Sequence, residues 1–307
     1  MQPKQGQALV TVIPGSDTVS KSFSSSLASQ LGAKLCEPTF KTFPDGEAYV
    51  RLPCNLRGEQ VVVVKTMVPD QDSSLVQALL MSDAAREAGA ESVALVAPYM
   101  AYSRQDRAFL EGEPVSIRAV MRALWSAGYS ALVTIEIHKE ESLKHFPGTA
   151  VSVRPFAFMA KGLGLDSSYV VLSPDIGALP RARDLALSLG ASYDYIEKSR
   201  DRVTGEVSMR PKELNVSNKK VVIVDDIIST GTTVAKAAQM LRSMGAIDVK
   251  VLVAHALLVP GAEERLLEAG ITRVYAANTT PVTSAMVSQI DVAPLVADAL
   301  RLLLKAA

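Results

Sequence analysis

The sequence predicts an α/β protein of two similar domains, each a mainly parallel sheet flanked by helices. Three observations lead there. Short β-branched apolar runs alternate with longer Ala/Leu-rich segments, the pattern of parallel strands joined by helices. The runs, such as Val61-Val-Val-Val64, lack polar alternation, so both faces of each strand are buried. A length of 307 residues suits two domains.

The expected strands are Leu9–Ile13, Val61–Lys65, Ser92–Ala97, Ala131–Ile135, Tyr169–Leu172, Lys220–Val224, Val249–Ala254 and Arg273–Ala276. Between them fall helices at Ser24–Gln30, Ser73–Ala88, Ser116–Ala127, Pro155–Leu163, Arg181–Leu189, Thr232–Met244, Ala262–Ala269 and Ala293–Lys305. One unit recurs. Val61–Lys65 leads through a loop and helix to Arg86-Glu-Ala-Gly-Ala90 and a strand, and Lys220–Val224 leads likewise to Arg242-Ser-Met-Gly-Ala246. A duplicated domain accounts for this, and so does the common grammar of βαβ units. The boundary is expected near Gly148–Arg154, giving domains 1–150 and 151–292, with a terminal helix in 293–307 that docks on either half.

Hydrophobic residues make up 48% and charged residues 21%, ample for a packed core, and the formal net charge is zero. That balance argues against a general nucleic-acid binder, without excluding a local site for a small phosphorylated ligand. No run approaches the roughly 18 apolar residues of a membrane span, and Met1–Gln7 is short and polar with no apolar stretch behind it. Neither the number nor the spacing of the two cysteines, Cys36 and Cys54, indicates a disulfide framework or zinc site. A reduced, cytoplasmic setting is therefore expected.

The strongest motif is Val221-Val-Ile-Val-Asp-Asp-Ile-Ile-Ser-Thr-Gly-Thr-Thr233. A buried strand ends in two acids, and a Ser/Thr/Gly turn then opens a helix. Ligands of open α/β sheets bind at the carboxyl ends of the strands. Ser229, Thr230, Gly231, Thr232 and Thr233 can aim N–H groups and hydroxyls at a phosphate, helped by the helix N-terminus. Gly231 permits close backbone approach. Asp225 and Asp226 lie where a ribose presents its diol, and carboxylates accept hydrogen bonds from hydroxyls. A strand end followed by an ordinary helix cap would account for the turn alone. The whole run, with its paired acids, suits a sugar phosphate better.

This run resembles the phosphoribosyl pyrophosphate signature shared by type I phosphoribosyltransferases and ribose-phosphate pyrophosphokinases. The first half separates the two. Phe43-Pro-Asp-Gly-Glu47 with Tyr49-Val-Arg51, and Pro98-Tyr-Met-Ala-Tyr-Ser-Arg-Gln-Asp-Arg107, are similar to ATP-binding segments of the pyrophosphokinase family. The resemblance implies stacking of Phe43 on adenine, base-edge contacts from Asp45 and Glu47, and nucleotide contacts from Arg104, Gln105 and Asp106. Taken alone, the charges would read as a self-neutralising surface cluster. Ser173-Pro-Asp-Ile-Gly-Ala178 resembles the family's pyrophosphate loop, implying roles for Asp175, Ile176, Gly177 and Ala178, with Asp175 a metal ligand. An Asp turn after a strand is the plainer reading. His138 matches the family's metal-linked histidine. Lys198 and Arg200 match its mobile catalytic loop, where Thr204-Gly205 would supply flexibility and Arg202 and Lys212 lie close by.

The similarity spans Val10 to Leu303. It implies two domains of type I phosphoribosyltransferase-like fold, transfer of pyrophosphate from ATP to ribose 5-phosphate, Mg²⁺ as cofactor, and a homo-oligomer in which a neighbour completes the ATP segment. A phosphoribosyltransferase would leave the first half unexplained. A non-catalytic homologue should have lost Asp175 or the cationic lid, and both are present. No G-x-x-x-x-G-K-[ST] sequence occurs. Glu136-Ile-His-Lys-Glu140 replaces the more usual Asp-Leu-His-Ala-Gly, Ser229 and Gly231 replace Asp and Ala, and Ser199 interrupts a basic run. These departures are similar to archaeal-type members.

Overall fold

The computed structural model describes residues 9–200, 207–211, 214–282 and 284–305. The chain forms two compact units, one of residues 1–153, 279–281 and 293–307, the other of residues 154–278 and 282–292.

The first unit contains β1 (Val10–Pro14), α1 (Thr18–Leu31), β2 (Lys34–Leu35), β3 (Thr39–Thr42), β4 (Ala48–Arg51), β5 (Gln60–Val64), α2 (Gln71–Glu87), β6 (Ser92–Ala97), α3 (Ser116–Ser126), β7 (Ala131–Ile135), a 3-10 turn at Glu140–His145 and β8 (Thr149–Val153). Its parallel sheet runs β2-β1-β5-β6-β7-β8. Val61, Val62, Val63 and Val64 are all fully buried, as the unbroken apolar run requires of a strand covered on both faces. Helix α1 starts earlier than expected from sequence. The side chain of Asp17 accepts the Ser20 N–H at 2.7 Å, and Ser20 and Ser24 are buried. The serine-rich stretch is thus a capped helix whose small side chains allow close packing.

The second unit contains α4 (Phe156–Gly162), β9 (Tyr169–Ser173), α5 (Leu179–Leu189), β10 (Ser192–Arg200), β11 (Val207–Pro211), β12 (Lys220–Ile228), α6 (Thr232–Ser243), β13 (Asp248–Ala256), α7 (Ala262–Glu268), β14 (Val274–Ala277) and β15 (Val287–Ile290). Its sheet runs β11-β10-β9-β12-β13-β14-β15, parallel except for β11 on β10. Helix α8 (Ala293–Lys305) belongs to the first unit and packs on α1. Its fully buried Ala293, Val296, Ala297 and Leu300 fall at i, i+3, i+4 and i+7, the positions of one helical face.

The sheets share one strand order. β1, β2, β5, β6, β7 and β8 correspond to β9, β10, β12, β13, β14 and β15, and each unit inserts extra antiparallel structure between its second and third matched strands. Common βαβ grammar dictates neither the order nor the place of the insertion, so the topology supports duplication.

The cysteines correct the sequence reading. Cys36 and Cys54 form a disulfide, with Cα atoms 6.1 Å apart, inside the bridging range. Spacing in sequence gave no hint because the hairpin of β3 and β4 folds between them and returns the chain. The strand β8 crosses the expected boundary at residue 150, and its half-exposed residues carry a weak apolar signal.

Candidate functional site

The second unit holds a site at the point where its sheet order reverses. β9 connects outward to β10 on one side and β12 to β13 on the other, which opens a crevice between their carboxyl ends. Pairing of β12 with β9 stops at Ile223, whereas pairing with β13 continues through Asp225 to Ile228. The strand therefore extends past its expected end at Val224 and presents both acids beside the open edge.

Asp226 is 5% exposed and its carboxylate lies 3.3 Å from the guanidinium of Arg181 on α5. Asp225 accepts the Asp226 N–H at 2.9 Å. Burial, reinforced by the neighbouring Asp226 charge and opposed by Arg181, pushes the Asp225 carboxyl well above its usual range. The two acids therefore differ in setting: Asp226 has the Arg181 guanidinium beside it, whereas the charged form of Asp225 is disfavoured. Arg181 was missed in the sequence, where it looks like Arg183. Helix position separates them: the side chain of Arg181 is 13% exposed and turned to the acids, that of Arg183 is 55% exposed and next to Asp184.

Beyond the acids, Gly231 has φ 73° and precedes the first residue of α6. A Cβ there would lie 3.2 Å from Leu266 Cγ and 3.3 Å from the Ala262 carbonyl oxygen, on top of the left-handed backbone. Glycine brings no capping side chain to the α6 N-terminus. The Thr230 hydroxyl donates to Thr232 Oγ1 at 3.2 Å, and Thr232 N–H reaches Thr230 Oγ1 at 3.4 Å. Ser229 is half-buried and Thr230 exposed. The turn from Ser229 to Thr233 thus brings hydroxyls together with the amino-terminal amides of α6, groups that suit an anion.

Across the crevice, the loop after β9 carries Asp175, Ile176, Gly177 and Ala178. Asp175 Oδ1 accepts the N–H groups of Gly177 at 2.8 Å and Ala178 at 3.2 Å, capping the short turn that leads into α5. One oxygen of this carboxylate is thereby engaged by the loop. Mg²⁺ takes oxygen ligands and usually retains waters or phosphate oxygens, so Asp175 fits it. The His138 imidazole suits Mg²⁺ less well and lies in the other unit. Among the described residues no three His, Cys, Asp or Glu side chains gather as a metal-holding group.

Lys198 and Arg200, expected on a loop, lie in β10, with backbones paired to Met209 and Val207 of β11. This ribbon continues past the last residue of β10 that pairs with β9, Tyr195. Arg202, Thr204, Gly205 and Lys212 lie outside the described residues.

In the first unit, Phe43, Asp45 and Glu47 form the tip of the β3–β4 hairpin, with Phe43 47% exposed and edge-on to Tyr49 at 5.9 Å. Arg104 is exposed after β6. The Gln105 side chain accepts from the Ser116 hydroxyl and its carbonyl from the Ile117 N–H, both fixing the start of α3. Asp106 lines a groove of about 450 Å³ that also meets Arg107, Arg118, Lys139 and Lys144, with Glu141 as the other acid. His145, on the same groove, is held below its usual range by burial and then by Lys144, Arg118 and Arg122. Cations dominate this wall. His138 is half-buried beyond β7, after Glu136, which has φ 41°.

The equivalent crevice of the first unit, between β1 and β5, is filled. Lys65 Nζ pairs with Asp17 at 2.8 Å with its side chain 3% exposed, and a Cβ on Gly15 would fall 2.6 Å from Lys65 Cδ.

A duplicated parallel sheet, with paired acids and an anion turn at one switch point, defines an enzyme of the phosphoribosyltransferase fold class. Comparison agrees: the family model of the phosphoribosyl transferase domain matches residues 157–276, and that of the N-terminal domain of ribose phosphate pyrophosphokinase matches residues 13–128. Ribose-phosphate pyrophosphokinase from Aeropyrum pernix is 44% identical over 95% of this chain and 96% of its own, and that from Methanopyrus kandleri 46% over 89% and 93%. The crystal structure of phosphoribosylpyrophosphate synthetase from Mycobacterium smegmatis superposes with a TM-score of 0.87 at 28% identity, over 98% of this chain and 100% of that one. The chain belongs to the ribose-phosphate pyrophosphokinase family.

Proposed function

We propose that the chain transfers the β,γ-pyrophosphate of ATP to the C1 hydroxyl of ribose 5-phosphate, giving phosphoribosyl pyrophosphate and AMP. The observation that carries this reading is that one chain matches both the N-terminal domain of ribose phosphate pyrophosphokinase and the phosphoribosyl transferase domain. In the reaction the C1 oxygen attacks the β-phosphorus, the bond from that phosphorus to the α,β-bridging oxygen breaks, and the C1 hydroxyl loses its proton.

The turn of Ser229, Thr230, Gly231, Thr232 and Thr233 takes the 5-phosphate, and Asp225 with Asp226 takes the diol. The charge that builds on the transferring group and on AMP calls for cations, the role assigned to Lys198 and Arg200. Asp175 would hold Mg²⁺, which when bound would neutralise phosphate charge. Phe43, Asp45 and Glu47 receive the base, Arg104, Gln105 and Asp106 the rest of the nucleotide, and His138 is assigned to the metal. The exposed ring of Phe43 fits service to a neighbouring subunit, so a homo-oligomer is part of the proposal. So is a cytoplasmic setting: no helix among the described residues is long and apolar enough to cross a membrane, and intracellular disulfides, rare in mesophiles, are established in hyperthermophiles.

The decisive assay mixes the protein with ATP, Mg²⁺ and ribose 5-phosphate. AMP should appear only when the sugar is present. AMP formation indifferent to the sugar sinks the reading.

A further inference from the structure

The hairpin of β3 and β4 forms a two-stranded sheet that joins neither main sheet. Its residues are mostly exposed or half-buried, so it has little core of its own. An isolated hairpin is marginal in water. One side is supported where β4 packs on α2. The other support is covalent. Cys36, 2% exposed, follows β2, and its N–H is bonded to the Val12 carbonyl at 3.0 Å, which fixes it to the main sheet. Cys54 follows β4, and the chain is anchored again two residues later by Leu56, 1% exposed, whose N–H meets the Ala88 carbonyl at 3.2 Å. The disulfide between them closes the base of the hairpin across 18 residues.

We infer that the Cys36–Cys54 disulfide is a positioning device for nucleotide binding, holding the hairpin at the angle its tip requires. This inference rests on the assignment of Phe43, Asp45 and Glu47 to the base of ATP. The lever is long. At about 3.3 Å per strand residue the tip stands roughly 20 Å from the base, so a tilt of about 10° moves Phe43 by about 3 Å. Displacements of that size are costly for a group that orients a substrate. The tip itself is locally braced, with Phe43 N–H on the Glu47 carbonyl at 2.8 Å and Glu47 N–H on Asp45 Oδ1 at 3.3 Å. Loss of the staple therefore moves the tip as a body rather than unravelling it.

The test compares the untreated enzyme with enzyme treated with a dithiol, which opens the bond to two thiols and is itself oxidised to a disulfide. A Cys36→Ser/Cys54→Ser double variant accompanies them. Reduction and the double variant should each raise the KM for ATP about tenfold while leaving the KM for ribose 5-phosphate and kcat within about twofold. Reoxidation should restore the wild type and leave the variant unchanged. An unaltered KM for ATP after full reduction, an equal loss for both substrates, or two free thiols in the untreated protein overturns the inference. If the variant does not fold, the reduction arm decides by itself. Failure to form AMP at all would remove the reaction reading instead, and calorimetric ATP binding before and after reduction would then still decide the role of the disulfide.

Discussion

Asp225 sits at the balance between stability and binding. Its folded pKa is raised above the ordinary 3.8, so the neutral form is the one the fold favours. The stability it contributes is full below the ordinary value and is lost as pH rises through the raised one. Asp225→Asn should therefore raise the Tm of the ligand-free protein at neutral pH. That gain should fade on acidification toward 3.8, while ribose 5-phosphate binds more weakly. A melting series across pH with parallel calorimetry checks both; a gain that persists in acid would contradict the assignment. Arg181 is the counterpart. Arg181→Ala leaves Asp226 buried without its cation and should cost roughly 3 kcal/mol of stability, read from denaturant unfolding. Lys198 acts differently: Lys198→Ala should depress kcat by at least about 100-fold with little change in ribose 5-phosphate affinity, since its charge is needed mainly in the transition state. Equal losses in both would make it a binding residue. The acids and the turn could be read from sequence because a buried strand running into paired carboxylates and Gly231 is a local pattern. Arg181 could not, because only its place on α5 turns it toward Asp226.

Among the elements, unbroken apolar runs gave away the central strands, since burial on both faces leaves a compositional mark. The edge pieces left none. β2 is two residues long, β8 is half-exposed, and β10 ends in the polar run Glu197-Lys-Ser-Arg200, which has no apolar residue. Their pairing is imposed by neighbours. For that reason Lys198 and Arg200, expected on a loop, emerge from a paired ribbon. Gly231 joins β12 to α6, and Gly231→Ala should cost about 1–2 kcal/mol from its φ of 73°, with further loss from the contact with Leu266. Thermal unfolding with and without ribose 5-phosphate tests it, and the ligand should protect the variant less than the wild type.

The two units repeat one topology but treat the crevice differently. In the first unit Lys65 occupies the equivalent space and pairs with Asp17. Titration calorimetry should accordingly find one ribose 5-phosphate per chain, and a second equivalent site would refute the view that Lys65 plugs its crevice. The division of the chain also has a temporal side. Helix α8, synthesised long after α1, covers it with Val296, Ala297 and Leu300 fully enclosed. During translation α1 must therefore wait, its apolar face uncovered, until residues 293–305 leave the ribosome. The later-made residues of the second unit can meanwhile close their own core. A nascent chain stalled before Ala293 would be a natural client for chaperones, because α1 would still lack its cover.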